Sequence, residues 1–135
     1  MRFLLDTSVL TRLKHPAVRS ALAAPVSWRL AGRASITDLE LGHSARTADE
    51  HDRIITGLTE LVRIDVTQRH IERAVEVQRE LAAQGLRGRA VPDLIIAAVA
   101  EDTGATVVHY DRDFDHIAAV TGQSVRWVVP AGTVD

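Results

Sequence analysis

Apolar residues fall into short runs and helical stripes that alternate along the chain. Arg2–Asp6 is a brief apolar run ending on an acid, and Thr7-Ser8-Val9-Leu10 then reads as a turn and the start of a helix. Pro16 stands where a first helical turn accepts proline, and Val18, Ala21 and Leu22 give the segment after it one apolar face. Ala34-Ser35-Ile36 reads as a second short strand. Two helices should follow, one from Thr37 to about Ala48 and one from Asp49 to Leu61. Val62–Val66 reads as a third strand. Ile71, Ala74, Val75, Gln78 and Leu81 then mark a helix, which Gly85 ends.

Two glycines make Gly85–Val91 a loop, after which Pro92 opens an apolar helix over Asp93–Thr103 that Gly104 closes. Its sequence predicts burial on most sides. Ala105–Tyr110 reads as a strand, Phe114–Val120 as a short helix and Val125–Val129 as a last strand before Pro130. Strands alternating with helices imply an α/β fold whose central, mostly parallel sheet has about four or five strands flanked by helices.

At 135 residues the chain is long enough to bury a core as one domain spanning 1–135. Hydrophobic residues make up 46% but aromatics only 4%, so Leu, Val, Ile and Ala must fill that core, which suits parallel strands under helices. Without cysteine there is no disulfide, thiolate zinc site or cysteine nucleophile, and a reducing cytoplasm fits. Three apolar residues before Asp6 are too few for a signal peptide or a membrane span. A net charge of −2 gives no bulk attraction to nucleic acid, so any RNA site must be a local patch. All basic residues but Lys14 are arginine, which fits GC-rich codon usage as well as phosphate binding.

The chemistry on offer is acidic. In an open parallel sheet ligands bind beyond the carboxyl ends of the strands, where Asp6 and Asp111 both fall. Glu40 and Asp93 lie in first turns of helices that can face the same rim. Each acid also has a local explanation. Thr37-Asp-Leu-Glu40 fits a capping box, Asp6 an N-cap, Asp93 a helix-dipole partner, and Asp111-Arg-Asp113 a turn. Helix caps, however, do not require four acids to gather at one edge, where like charges need a cation. Oxygen-only ligands point to a hard ion, Mg²⁺ or Mn²⁺. An EF-hand is excluded, because His116 and Gly122 stand where that loop needs glycine and glutamate.

Four fragments, Leu4-Leu-Asp6-Thr-Ser8, Glu40 before Leu-Gly-His-Ser-Ala45, Pro92-Asp93-Leu-Ile-Ile-Ala-Ala-Val-Ala100 and His109-Tyr-Asp111-Arg-Asp113-Phe114, resemble in order and spacing the PIN-domain ribonucleases, and among them VapC-type toxins of bacterial type II toxin–antitoxin pairs. The likeness runs nearly end to end and implies a PIN-like fold. By this resemblance the family's acids fall on Asp6, Glu40, Asp93 and Asp111, with Asp113 auxiliary and Ser8 as a hydroxyl that helps hold the site. It also implies metal-dependent RNA cleavage, inhibition of translation, a cognate VapB-type antitoxin and a homodimer. No role passes to His43.

On that basis Asp6 and Asp93 are the expected principal metal ligands, with Glu40, Asp111 and Asp113 completing the shell directly or through water. The carboxylate count fits one ion or two. Arg87 and Arg89, in the loop before Asp93, are candidate RNA-phosphate contacts. His109 in its apolar strand reads as a hydrogen-bonded core residue, and Trp28 and Trp127 as packing residues. Two rival functions remain. A phosphoryl-aspartate enzyme would want an acid at position 8, where Ser8 stands, and a lysine to neutralise phosphate. A non-catalytic metal- or peptide-binding PIN-like module would keep the fold and not the hydrolysis.

Overall fold

The computed structural model describes residues 1–135. Five strands form one sheet: β1 (Phe3–Leu5), β2 (Ala31–Ala34), β3 (Val62–Ile64), β4 (Thr106–His109) and β5 (Val125–Trp127). Their order is β3-β2-β1-β4-β5 and every neighbouring pair is parallel. The helices are α1 (Thr7–Leu10), α2 (Pro16–Ser27), α3 (Ser35–Gly42), α4 (Ala48–Thr56), α5 (Gln68–Ala83), α6 (Val91–Thr103) and α7 (Asp113–Thr121). The expected α/β architecture is present.

Successive strand residues face opposite sides of a sheet, and here they feed two separate cores. Leu4, Ala34 and Val107 pack with Ala74, Val77 and Leu81 of α5, Ile96 and Val99 of α6, and Phe114 and Ile117 of α7. Leu5, Ala31 and Val108 pack on the other face with Val9, Val18, Leu22, Leu58 and Leu61. Helix α6 is buried from Asp93 through Ala100, as its unbroken apolar run predicts, and Gly104 ends it with φ of +71°.

The second strand departs from expectation. It occupies Ala31–Ala34, and Ser35 and Ile36 already belong to α3. Arg33 explains the shift. It is buried, and its guanidinium bonds the carbonyls of Leu58 and Leu61, both at 2.8 Å, and the Asp38 carboxylate at 2.7 Å. Gly32 admits a close neighbour, since a Cβ there would come within 2.8 Å of the Val62 carbonyl. The earlier helix start also removes the capping box expected at Thr37. Ala34 is the N-cap residue of α3, and Glu40 is directed elsewhere. Trp28 is a second correction, being 72% exposed rather than packed.

Candidate active site

Strand β1 lies between β2 and β4, so the chain crosses in opposite directions on its two sides and opens a crevice at the carboxyl ends of β1 and β4. Asp6 closes β1 at that point. Its amide donates to the Val108 carbonyl at 2.9 Å, and its Oδ2 accepts the Ser8 amide at 2.9 Å, so it also caps α1. The local reading of Asp6 as an N-cap therefore holds. Its other oxygen, Oδ1, is buried and has no hydrogen-bond partner.

Asp93 reaches the crevice from the first turn of α6. It too is buried and carries an oxygen, Oδ2, with no partner. Asp111 follows β4, and its Oδ1 accepts the Asp113 amide at 2.9 Å, which folds the turn and brings the Asp113 side chain alongside. Carboxylate oxygens of Asp93, Asp111 and Asp113 all lie within 4.8 Å of one another. Glu40 comes in from α3, held by a 2.6 Å hydrogen bond from the Thr7 hydroxyl to its Oε1.

The gathering shows in the proton affinities. Burial, reinforced by the charges of Asp6, Asp111, Asp113 and Glu40, pushes the Asp93 carboxyl up to about 8. Burial likewise raises Asp6 to about 6, against the pull of the Ser8 hydroxyl and amide and with a further push from Glu40. Two buried carboxyl oxygens without partners amid three further carboxylates are a costly arrangement for a bare protein. A hard divalent cation supplies what these oxygens lack, and the donor set is all oxygen. The site therefore fits a hard divalent cation.

Residues 3–120 match the PIN domain family. Along its whole length the chain is 50% identical to Ribonuclease VapC51 of Mycobacterium tuberculosis, covering 98% of that protein. The chain belongs to the PIN-domain family, in its VapC branch. This PIN domain is also 45% identical over 134 residues to Ribonuclease VapC21 of the same species, covering 97% of it. Its fold matches DNA-bound VapBC from Salmonella typhimurium with a TM-score of 0.77 and 22% identity, covering 96% of this chain and 99% of that one. VapBC-1 from Haemophilus influenzae matches at 0.75 and 23%, covering 95% and 98%.

Within the PIN domain Asp93, Asp111 and Asp113 form one close group, while Asp6 and Glu40 stand outside it but near enough for their charges to raise Asp93. Ser8 accepts the Tyr110 amide through its Oγ at 2.9 Å, stitching α1 to the end of β4. Arg89 donates to Asp113 Oδ1 at 2.8 Å, whereas Arg87 is exposed and not tied to the acids. His43 is exposed at the end of α3. His109 is fully buried and hydrogen-bonded, and burial lowers its proton affinity. Trp127 packs against it. Thr7 escaped the sequence reading, because its partner Glu40 lies 33 positions away and only the fold brings them together. An apolar groove of about 720 Å³ is lined by Leu10, Leu13, Leu22, Val26, Leu41 and Ile54 among others, and none of the five acids lines it.

Proposed function

We propose that this PIN domain is a Mg²⁺-dependent endoribonuclease, with Mn²⁺ as a substitute ion, and the toxin of a type II toxin–antitoxin pair that inhibits translation by cutting tRNA, rRNA or mRNA. The observation that carries this reading is the pair of buried, unpartnered oxygens, Asp6 Oδ1 and Asp93 Oδ2, at a crevice holding three more carboxylates. Asp6 and Asp93 would be the principal ligands, with Asp111 and Asp113 completing the set. A bound Mg²⁺ would act as a Lewis acid on a phosphodiester and make a water acidic enough to attack it at neutral pH. Glu40, fixed through Thr7, would accept the proton of the attacking water. Ser8 holds the floor of the crevice rigid by its bond to Tyr110. Arg89 and Arg87, on the glycine-flanked loop before α6, would bind the flanking phosphates with their guanidinium forks. Hydrolysis of this kind leaves a 5′-phosphate and a 3′-hydroxyl.

Relatives and fold neighbours support a reading of the partners. Similar proteins over the full chain bear ribonuclease names, and several fold neighbours were captured as VapBC assemblies. We infer a VapB-type antitoxin, lying in part along the apolar groove between α2 and α4, and a homodimer acting in the cytoplasm. All 135 residues would form a single PIN-like domain. No helix is long and apolar enough to cross a membrane.

Purified protein incubated with an end-labelled RNA tests the reading. Cleavage should require Mg²⁺ or Mn²⁺, stop in excess EDTA, and leave the stated ends. Full activity in EDTA, or cyclic phosphate termini, would overturn it.

A further inference from the structure

His109 is the last residue of β4 and has no surface exposure, and two aromatic rings pack on it. Its ring stacks on Phe114 with centroids 5.1 Å apart and leans on Trp127 at 5.0 Å. A leucine or valine would fill such a strand end without bringing two polar nitrogens into it. What the imidazole adds is an acceptor. Its Nδ1 takes the backbone N–H of Asp111 at 3.2 Å, which fixes the neutral tautomer with the proton on Nε2. Nε2 has no partner within hydrogen-bond distance and lies 3.9 Å from Asp115 Oδ1, while Asp115 Oδ2 accepts the Trp127 indole N–H at 3.1 Å.

The consequence falls on Asp111. Its amide is gripped by His109, and its carboxylate oxygen is gripped by the Asp113 amide. The residue between, Tyr110, is tied through its own amide to Ser8. The turn that presents Asp111 and Asp113 to the crevice is thus pinned at three amides, those of Tyr110, Asp111 and Asp113, and His109 supplies the one that acts directly on the Asp111 backbone. The other two pins come from residues already placed at the site.

We infer that His109 is a positioning residue, an imidazole clamp whose Nδ1 sets the Asp111 backbone so that the Asp111 and Asp113 carboxylates converge on Asp93. The inference rests on the metal-centre reading above for its consequence, and on the Asp111 amide for its geometry. It needs neither protonation of the imidazole nor contact with substrate.

Three variants separate the clamp from simple packing. In His109→Asn the amide oxygen lies close to where Nδ1 was and can accept the same N–H; in His109→Gln the side-chain amide is one bond further out; in His109→Leu there is no acceptor. Two readouts are taken on the full chain: hydrogen exchange at the Asp111 amide without metal, and affinity for Mn²⁺ alone by calorimetry. Asn should keep the Asp111 amide protected and Mn²⁺ affinity within about threefold of wild type, while Leu and Gln should speed exchange and weaken Mn²⁺ by about 10–100-fold, the usual effect of losing a group that orients a ligand. Slow exchange in the Leu variant, or equal Mn²⁺ losses for Asn and Leu, would overturn the clamp. Should Leu fail to fold, the contrast of Asn with Gln decides on the same terms. Were wild type itself not to bind Mn²⁺, the metal-centre reading would fall, and the exchange rates would still decide whether His109 holds Asp111.

Discussion

Thr7 is uncharged, yet it governs the position of a charge. Its hydroxyl is the 2.6 Å donor to Glu40 and also lies 3.3 Å from the Thr37 hydroxyl, so it joins α1 to α3 across the crevice. Thr7→Val keeps the shape and removes the donor. RNA cleavage should slow about tenfold at saturating RNA, with the melting temperature falling by no more than the loss of one partly buried hydrogen bond, about 1 kcal/mol. Steady-state kinetics and a melt in the same buffer check both parts. The raised acids make a second prediction. Folded Asp93, at about 8, and Asp6, at about 6, hold protons more tightly than an unfolded Asp near 3.9, so the folded state binds the extra protons and metal-free stability must fall as pH rises through those values. Buried His109 acts in the opposite sense, but only below about pH 6.5, where an unfolded histidine takes up its proton. Between pH 6.5 and 8.5 in EDTA, stability should therefore drop by about 1–2 kcal/mol, and Asp93→Asn should flatten the slope. Denaturant titrations across that range measure it.

At the scale of elements, helices were more legible than the second strand. The stripe of Ile71, Ala74 and Leu81 announced α5, and Pro92 with Gly104 bracketed α6, because caps and periodicity are written in neighbouring residues. Ala-Gly-Arg-Ala carries no strand former. Its order comes from Arg33 reaching carbonyls 25 and 28 positions away, which no local pattern records. The false capping box at Thr37 has the same origin: the motif was present, but the chain enters α3 earlier, at Ser35, once Arg33 has fixed β2. Arg33→Ala should cost about 3–5 kcal/mol, since it strands Asp38 and two carbonyls in a partly buried setting, and chemical denaturation will register it. The loop between α5 and α6 makes the other prediction at this scale. Gly85 and Gly88 both take positive φ, which lets the backbone turn Arg89 toward Asp113. Replacing Arg87 and Arg89 together by Ala should weaken RNA binding and lower the salt slope by about 1–2, as each lost phosphate contact releases one counterion fewer. An unchanged slope would make the loop a solvated turn.

For the molecule as a whole, the sheet order explains why acids scattered from position 6 to position 113 share one crevice. The rim was foreseeable because an alternating strand and helix pattern implies a parallel sheet, and acids directly after strands must fall at its carboxyl edge. What stayed hidden was the support around it, the Thr7 hydroxyl and the His109 clamp, because each acts across the fold or through a backbone amide. The assembled fold buries Asp93 and sets like charges around it, a strain that a cation or a proton relieves. Thermal melts of wild type and Asp93→Asn at pH 8, each in EDTA and in Mg²⁺, test that claim most directly. The account predicts that Asp93→Asn melts no lower than wild type in EDTA, and that Mg²⁺ at about 100 times its dissociation constant raises wild type by roughly 5–10 °C, about 2.7 kcal/mol, and the variant much less. If Asp93→Asn melts clearly lower in EDTA and both proteins respond equally to Mg²⁺, Asp93 serves the helix end alone and the metal centre is wrong.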